Sequence, residues 1–156
     1  MPKDMPEFEV IEEAMLAFHR ASFKHKTWEI LRERSGVNLD RSGAALLKAI
    51  LHCPNVNCRM QDIASYLGIE APSVTRKVQE LESQGLVSRN TDPDDKRASL
   101  ITITKAGRAS VKKLQQARLE QLAIAMRKWP ADERSEFARL FKKLADDLGD
   151  HVEANV

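Results

Sequence analysis

At 156 residues with 42% hydrophobic content, the chain is long enough to bury one real core. Aromatic residues are only 5% and charged residues 31%, a balance that suits helices with large solvated surfaces. A net charge of +2 rules out a strongly basic or acidic protein, and no run approaches the roughly 18 consecutive apolar residues of a membrane span. The first ten residues hold no apolar run of the secretory kind, so a cytoplasmic protein is expected. Charge is uneven along the chain: residues 105–128 carry seven basic side chains against Glu120 alone, whereas the segment after Pro130 is net acidic. Such asymmetry fits either a region facing a polyanion or a solvated helix face.

The first periodic segment covers residues 7–34. Phe8, Ile11, Met15 and Phe18 recur at helical spacing, with Val10, Ala14, Ala17 and Ala21 as a second stripe beside them. So wide an apolar arc suits a helix packed on two sides, one of them a subunit interface. Gly36 ends it. Asp40 is placed to cap a helix over 41–52, with Leu46, Leu47, Ile50 and Leu51 inward. Residues 59–67 read as a short helix and Gly68 as a turn. A further helix over 72–84 has Pro72 in its first turn and Val74, Val78 and Leu81 inward. Two short helices about a glycine turn make a helix-turn-helix.

Beyond Gly85 the period changes. Residues 86–89 and 98–104 are rich in β-branched side chains and flank a polar, turn-forming run from Asn90 to Arg97, which predicts a β-hairpin with a charged tip. Thr104 is placed to cap a long helix over 105–129, and Asp132 a last one in which Phe137, Leu140, Phe141, Leu144 and Leu148 form one stripe before Gly149. The expected fold is mainly α with a small β-hairpin wing, a single domain. A winged helix-turn-helix lobe (40–104) would stand between dimerisation helices (7–34 and 105–150).

This order of elements, with Val74-Thr75-Arg76-Lys77-Val78-Gln79-Glu80-Leu81-Glu82-Ser83-Gln84-Gly85-Leu86-Val87-Ser88-Arg89, then Asp92-Pro93-Asp94-Asp95-Lys96-Arg97, then Leu100-Ile101-Thr102-Ile103-Thr104-Lys105-Ala106-Gly107, resembles the MarR family of transcriptional regulators. The resemblance implies a homodimer that binds duplex DNA at a palindromic operator, represses, and is released by a small aromatic or anionic effector. On the recognition helix Ser73, Thr75, Arg76, Lys77 and Gln79 are the residues left to face bases and phosphates. At the wing the resemblance implies that Arg97 enters the minor groove, with Asp95 holding its guanidinium and Lys96 on nearby phosphates. Effector candidates are His19, Phe23 and Trp28 on the first helix and His52 on the second.

Two readings of another class stay open. His52, Cys53 and Cys58 supply three clustered donors, one short of a tetrahedral zinc site, and the two thiols also suit a redox switch; two ordinary cytosolic thiols are the plainer reading. Winged helices also bind other proteins. No nucleotide-binding loop, hydrolase or zinc-protease motif is present, so neither an enzyme nor a cofactor is expected.

Overall fold

The computed structural model describes residues 5–53, 58–92 and 98–154. In chain order they form α1 (Pro6–Phe23), α2 (His25–Ser35), α3 (Arg41–His52), β1 (Cys58–Arg59), α4 (Met60–Leu67), α5 (Ala71–Ser83), β2 (Val87–Thr91), β3 (Ser99–Ile103), α6 (Lys105–Ala125) and α7 (Ala131–Ala154). The architecture is mostly helical with a small antiparallel sheet, a winged helix-turn-helix. The chain divides into two compact units, Met1–Ala117 and Arg118–Val156, with the boundary inside α6.

In the first unit the core is built on α3, whose Ala44, Leu46, Leu47, Ala49 and Ile50 are all buried. Asp40 caps it as expected, accepting the Gly43 N–H at 2.7 Å. The predicted single helix over 7–34 is in fact two, because Lys24 leaves the helical region at φ −58°, ψ 138°. The break turns Trp28 and Leu31 into the core, where the Trp28 indole N–H donates to the Leu39 carbonyl at 3.1 Å. No glycine or proline marks it; a buried indole that finds its acceptor outweighs the lost helical hydrogen bonds.

Helix α4 buries Ile63 and Ala64 and ends at Gly68, which takes φ 63° and lets the Ile69 N–H return to the Ala64 carbonyl. Helix α5 follows, with Val74, Val78 and Leu81 inaccessible to solvent. Strands β2 and β3 pair from Val87↔Ile103 to Thr91↔Ser99. A third strand that periodicity did not reveal, β1, adds Cys58↔Ile101 and Arg59↔Leu100 to the other edge of β3, giving the order β1-β3-β2. Two residues are too few for alternation to register.

The long helix α6 starts where Thr104 accepts the Gly107 N–H at 3.1 Å while its own backbone N–H donates to the Leu86 carbonyl. A Cβ on Gly107 would sit 2.2 Å from the Leu86 oxygen, so only glycine allows α6 this close to the turn after α5. In the second unit Trp129 packs edge-on against Phe137, which stacks on Phe141. The stop expected at Gly149 is absent: α7 runs on to Ala154, since Gly149 keeps a helical φ and costs the helix only about 1 kcal/mol relative to alanine. Among the described residues no helix is long and apolar enough to cross a membrane.

Candidate nucleic-acid interface

The outward side of α5 follows from its inward one. With Val74, Val78 and Leu81 fixed in the core, Ser73, Arg76 and Gln79 are exposed along the opposite face. Pro72 in the first turn removes a donor that would go unused, and Glu70 accepts the Ser73 N–H at 3.0 Å, which squares the helix start. Thr75 is half-buried, its hydroxyl donating to the Ala71 carbonyl at 3.0 Å.

Lys77 stands apart from the others in the predicted set. Its side chain is 19% exposed, and its ammonium donates to Asp40 at 2.8 Å and Glu80 at 2.6 Å. Burial opposes its charge, yet the hydrogen bonds to Asp40 and Glu80 prevail and hold its pKa above the usual lysine value. The α5 basic pair is therefore split between one exposed guanidinium, Arg76, and one ammonium tied to the cap of α3.

The hairpin stands directly behind α5, whose C-terminal Glu82 lies 3.6 Å from the Arg89 guanidinium of β2. At its neck the Asp92 N–H donates to the Ala98 carbonyl at 3.1 Å. The residues expected at the tip, Asp95, Lys96 and Arg97, lie outside the described residues.

Of the effector candidates, His19 and Phe23 stack at 4.4 Å, and the Arg41 guanidinium lies over both Phe23 (4.9 Å) and Trp28 (5.7 Å). Phe23 and Trp28 thus flank an arginine that sequence reasoning missed, with His19 stacked on Phe23, since Arg41 reads only as the first residue of α3. His52 is exposed in the last turn of that helix, roughly 16 Å along its axis from Arg41. Cys53, which ends α3, and Cys58 of β1 have their sulfur atoms paired in a disulfide-like contact, with Cα atoms 6.2 Å apart. Pairing of this kind is not in itself a sensing device. Among the described residues no three His, Cys, Asp or Glu side chains are grouped to hold a metal ion.

A family model described as the MarR family matches residues 47–99, from the middle of α3 to the first residue of β3. The uncharacterized HTH-type transcriptional regulator YxaD of Bacillus subtilis (strain 168) is 32% identical over 112 residues, 72% of this chain and 76% of that protein. This chain belongs to the MarR family. It is a DNA-binding transcriptional regulator with the family's winged-helix fold. A MarR family protein from Bacillus stearothermophilus superposes with a TM-score of 0.76 at 21% identity, covering 94% of this chain and 99% of that one. The PcaV transcriptional regulator from Streptomyces coelicolor, solved in complex with its natural ligand, superposes at 0.58 with 20% identity over 85% and 89%.

Proposed function

We propose that this MarR family member is a cytoplasmic homodimeric repressor that reads a palindromic operator and is released by a small aromatic or anionic effector. The observation that carries the reading is the exposed Ser73, Arg76 and Gln79 face of α5, set on a buried stripe and backed by the hairpin. An arginine grips guanine O6 and N7, a glutamine pairs with adenine, and a hydroxyl suits phosphate. Thr75 serves at the helix margin, and Lys77 contributes field rather than a direct grip while Asp40 and Glu80 hold it. Asp95, Lys96 and Arg97 complete the reading at the minor groove.

One such module is small for specific binding, which favours a two-fold pair of them. Apolar side chains left exposed on α1 (Phe8, Val10, Ile11, Leu16) and on α7 (Phe137, Leu140, Phe141, Leu148) support a second copy as the partner. The effector reading rests on Arg41. Its guanidinium lies over the Phe23 and Trp28 rings while Nη2 donates to the Lys24 carbonyl at 3.2 Å, so its remaining N–H groups are the candidates to receive a carboxylate, and the PcaV complex shows one structural relative with its ligand bound.

Selection from a random duplex pool by the purified protein tests the proposal. The expected result is a palindrome with half-sites roughly 34 Å apart, bound with a log-log salt slope of about −5 to −9. An enriched site without two-fold symmetry sinks the homodimer reading. No enrichment at low salt sinks DNA binding by this protein and leaves the protein-binding winged helix standing.

A further inference from the structure

Arg59 lies outside every set of residues considered so far. It is the second residue of β1, paired with Leu100 of β3, and its backbone N–H donates to Asp62 at 3.3 Å, which fixes it at the start of α4. Its side chain turns the other way. Nε and Nη2 both donate to Asp92 Oδ2, at 3.0 and 2.7 Å, across 33 residues of chain. The arginine side chain is half exposed, whereas that of Asp92 is only 4% exposed. Asp92 also closes the hairpin through its backbone, donating to Ala98. One carboxylate therefore joins the neck of the wing to the residue that opens the helix-turn-helix.

We propose that Arg59 is a positioning residue for DNA binding: by gripping Asp92 it fixes the neck of the wing against α4, so that wing and recognition helix meet the duplex in one geometry. The inference rests on the DNA reading above and extends it to a residue that need not touch DNA. A charge-assisted grip on a buried carboxylate is directional, and removing the guanidinium takes away two of its hydrogen bonds at once. Among the described residues, the hairpin is anchored on β3, beyond its own ladder, only by the two residue pairs with β1, which leaves the β2 side of the neck free to shift. The Arg59–Asp92 bond ties the end of β2 to β1 as well and removes that freedom before DNA arrives, which lowers the ordering cost of binding.

The test uses the full chain as Arg59→Gln, Arg59→Lys, Asp92→Asn and the double variant Arg59→Gln/Asp92→Asn. Amide hydrogen exchange is read at Asp92, whose N–H spans the neck, and at Val78 in the core; affinity is read on the selected operator. Arg59→Gln is expected to speed exchange at Asp92 and weaken operator binding, each about tenfold, with Val78 unchanged. Arg59→Lys restores part of both, and Arg59→Gln adds nothing once Asp92 is Asn. If Arg59→Gln disturbs Val78 as well, Asp92→Asn, which removes the buried charge itself, carries the same expectation. Unchanged exchange at the neck, or additive effects in the double variant, overturns the proposal. So does a loosened neck with operator affinity intact, an outcome that leaves the DNA reading in place. A wild-type chain that selects no DNA overturns both, because the neck then has no duplex to be aimed at.

Discussion

Helices α1 and α5 belong to the same unit and make opposite use of their apolar residues. Helix α5 has only Ala71, Val74, Val78 and Leu81, and three of these are sealed from solvent. Helix α1 carries Phe8, Val10, Ile11, Met15, Leu16, Phe18 and Phe23 and buries none of its residues, with Phe8 59% and Val10 66% exposed. Apolar content therefore says little about what a single chain buries. A narrow stripe at i, i+4 and i+7 meets one partner surface, whereas the wide arc of α1 stays exposed. Full burial of a side chain such as Phe is worth roughly 1.5–3 kcal/mol, so burying the α1 arc would supply a large part of the driving force for the proposed homodimer.

The sharpest way to break this contrast is to charge α1. Phe8→Glu with Phe18→Glu is expected to leave the helical fold intact by circular dichroism and to give a monomer in sedimentation. Operator affinity should fall by about 10² to 10⁴, the loss that follows when two linked sites become one. A doubly charged α1 that still sediments as a dimer would move the interface elsewhere. Next in size, Leu81→Ala on α5 is expected to cost about 2–5 kcal/mol in urea unfolding, because its side chain is enclosed and leaves a cavity. The two variants separate the roles: one reads out in sedimentation and DNA binding, the other in unfolding. If Leu81→Ala unfolds at the wild-type midpoint, the enclosed core around α5 is wrong.

What the sequence discloses follows the same division between local and distant causes. Helix α5, the turn at Gly68, the hairpin and the cap at Asp40 are written in residues a few positions apart, and each was legible. The kink at Lys24 was not, because its cause is an acceptor on Leu39 that the Trp28 indole reaches only in the folded chain. Strand β1 hid in two residues. The site divides alike: the outward position of Ser73, Arg76 and Gln79 follows from helical period alone, whereas the tie of Lys77 to Asp40 spans 37 residues and that of Arg59 to Asp92 spans 33. Arg41 carried no signal until Phe23 and Trp28 were folded against it. Gly149 misled in the other direction, since a glycine stops a helix only where the chain needs a left-handed residue.

The smallest expected effect lies within α5 itself, between Arg76 and Lys77. Burial opposes the charge of Asp40, but hydrogen bonds from Lys77, Gly43 and Ser42 prevail and hold its carboxyl below the usual aspartate value. A carboxyl depressed in the folded state adds stability above its unfolded pKa and loses it as pH falls through the folded one. Lys77, raised in the folded state, keeps its contribution below the ordinary lysine pKa and loses it only as pH climbs through the raised value. Stability from this pair should thus be flat across neutral pH, with an acid limb below about pH 4. Asp40→Asn isolates the charge, since asparagine caps a helix about as well as aspartate. The pair is partly exposed and solvent-screened, so the expected loss at pH 7 is below about 1 kcal/mol. The difference between wild type and Asp40→Asn in urea unfolding should close as pH drops toward 2. Acid limbs that superimpose throughout would mean that the carboxylate adds nothing beyond the cap, and that Glu80 alone is what holds Lys77.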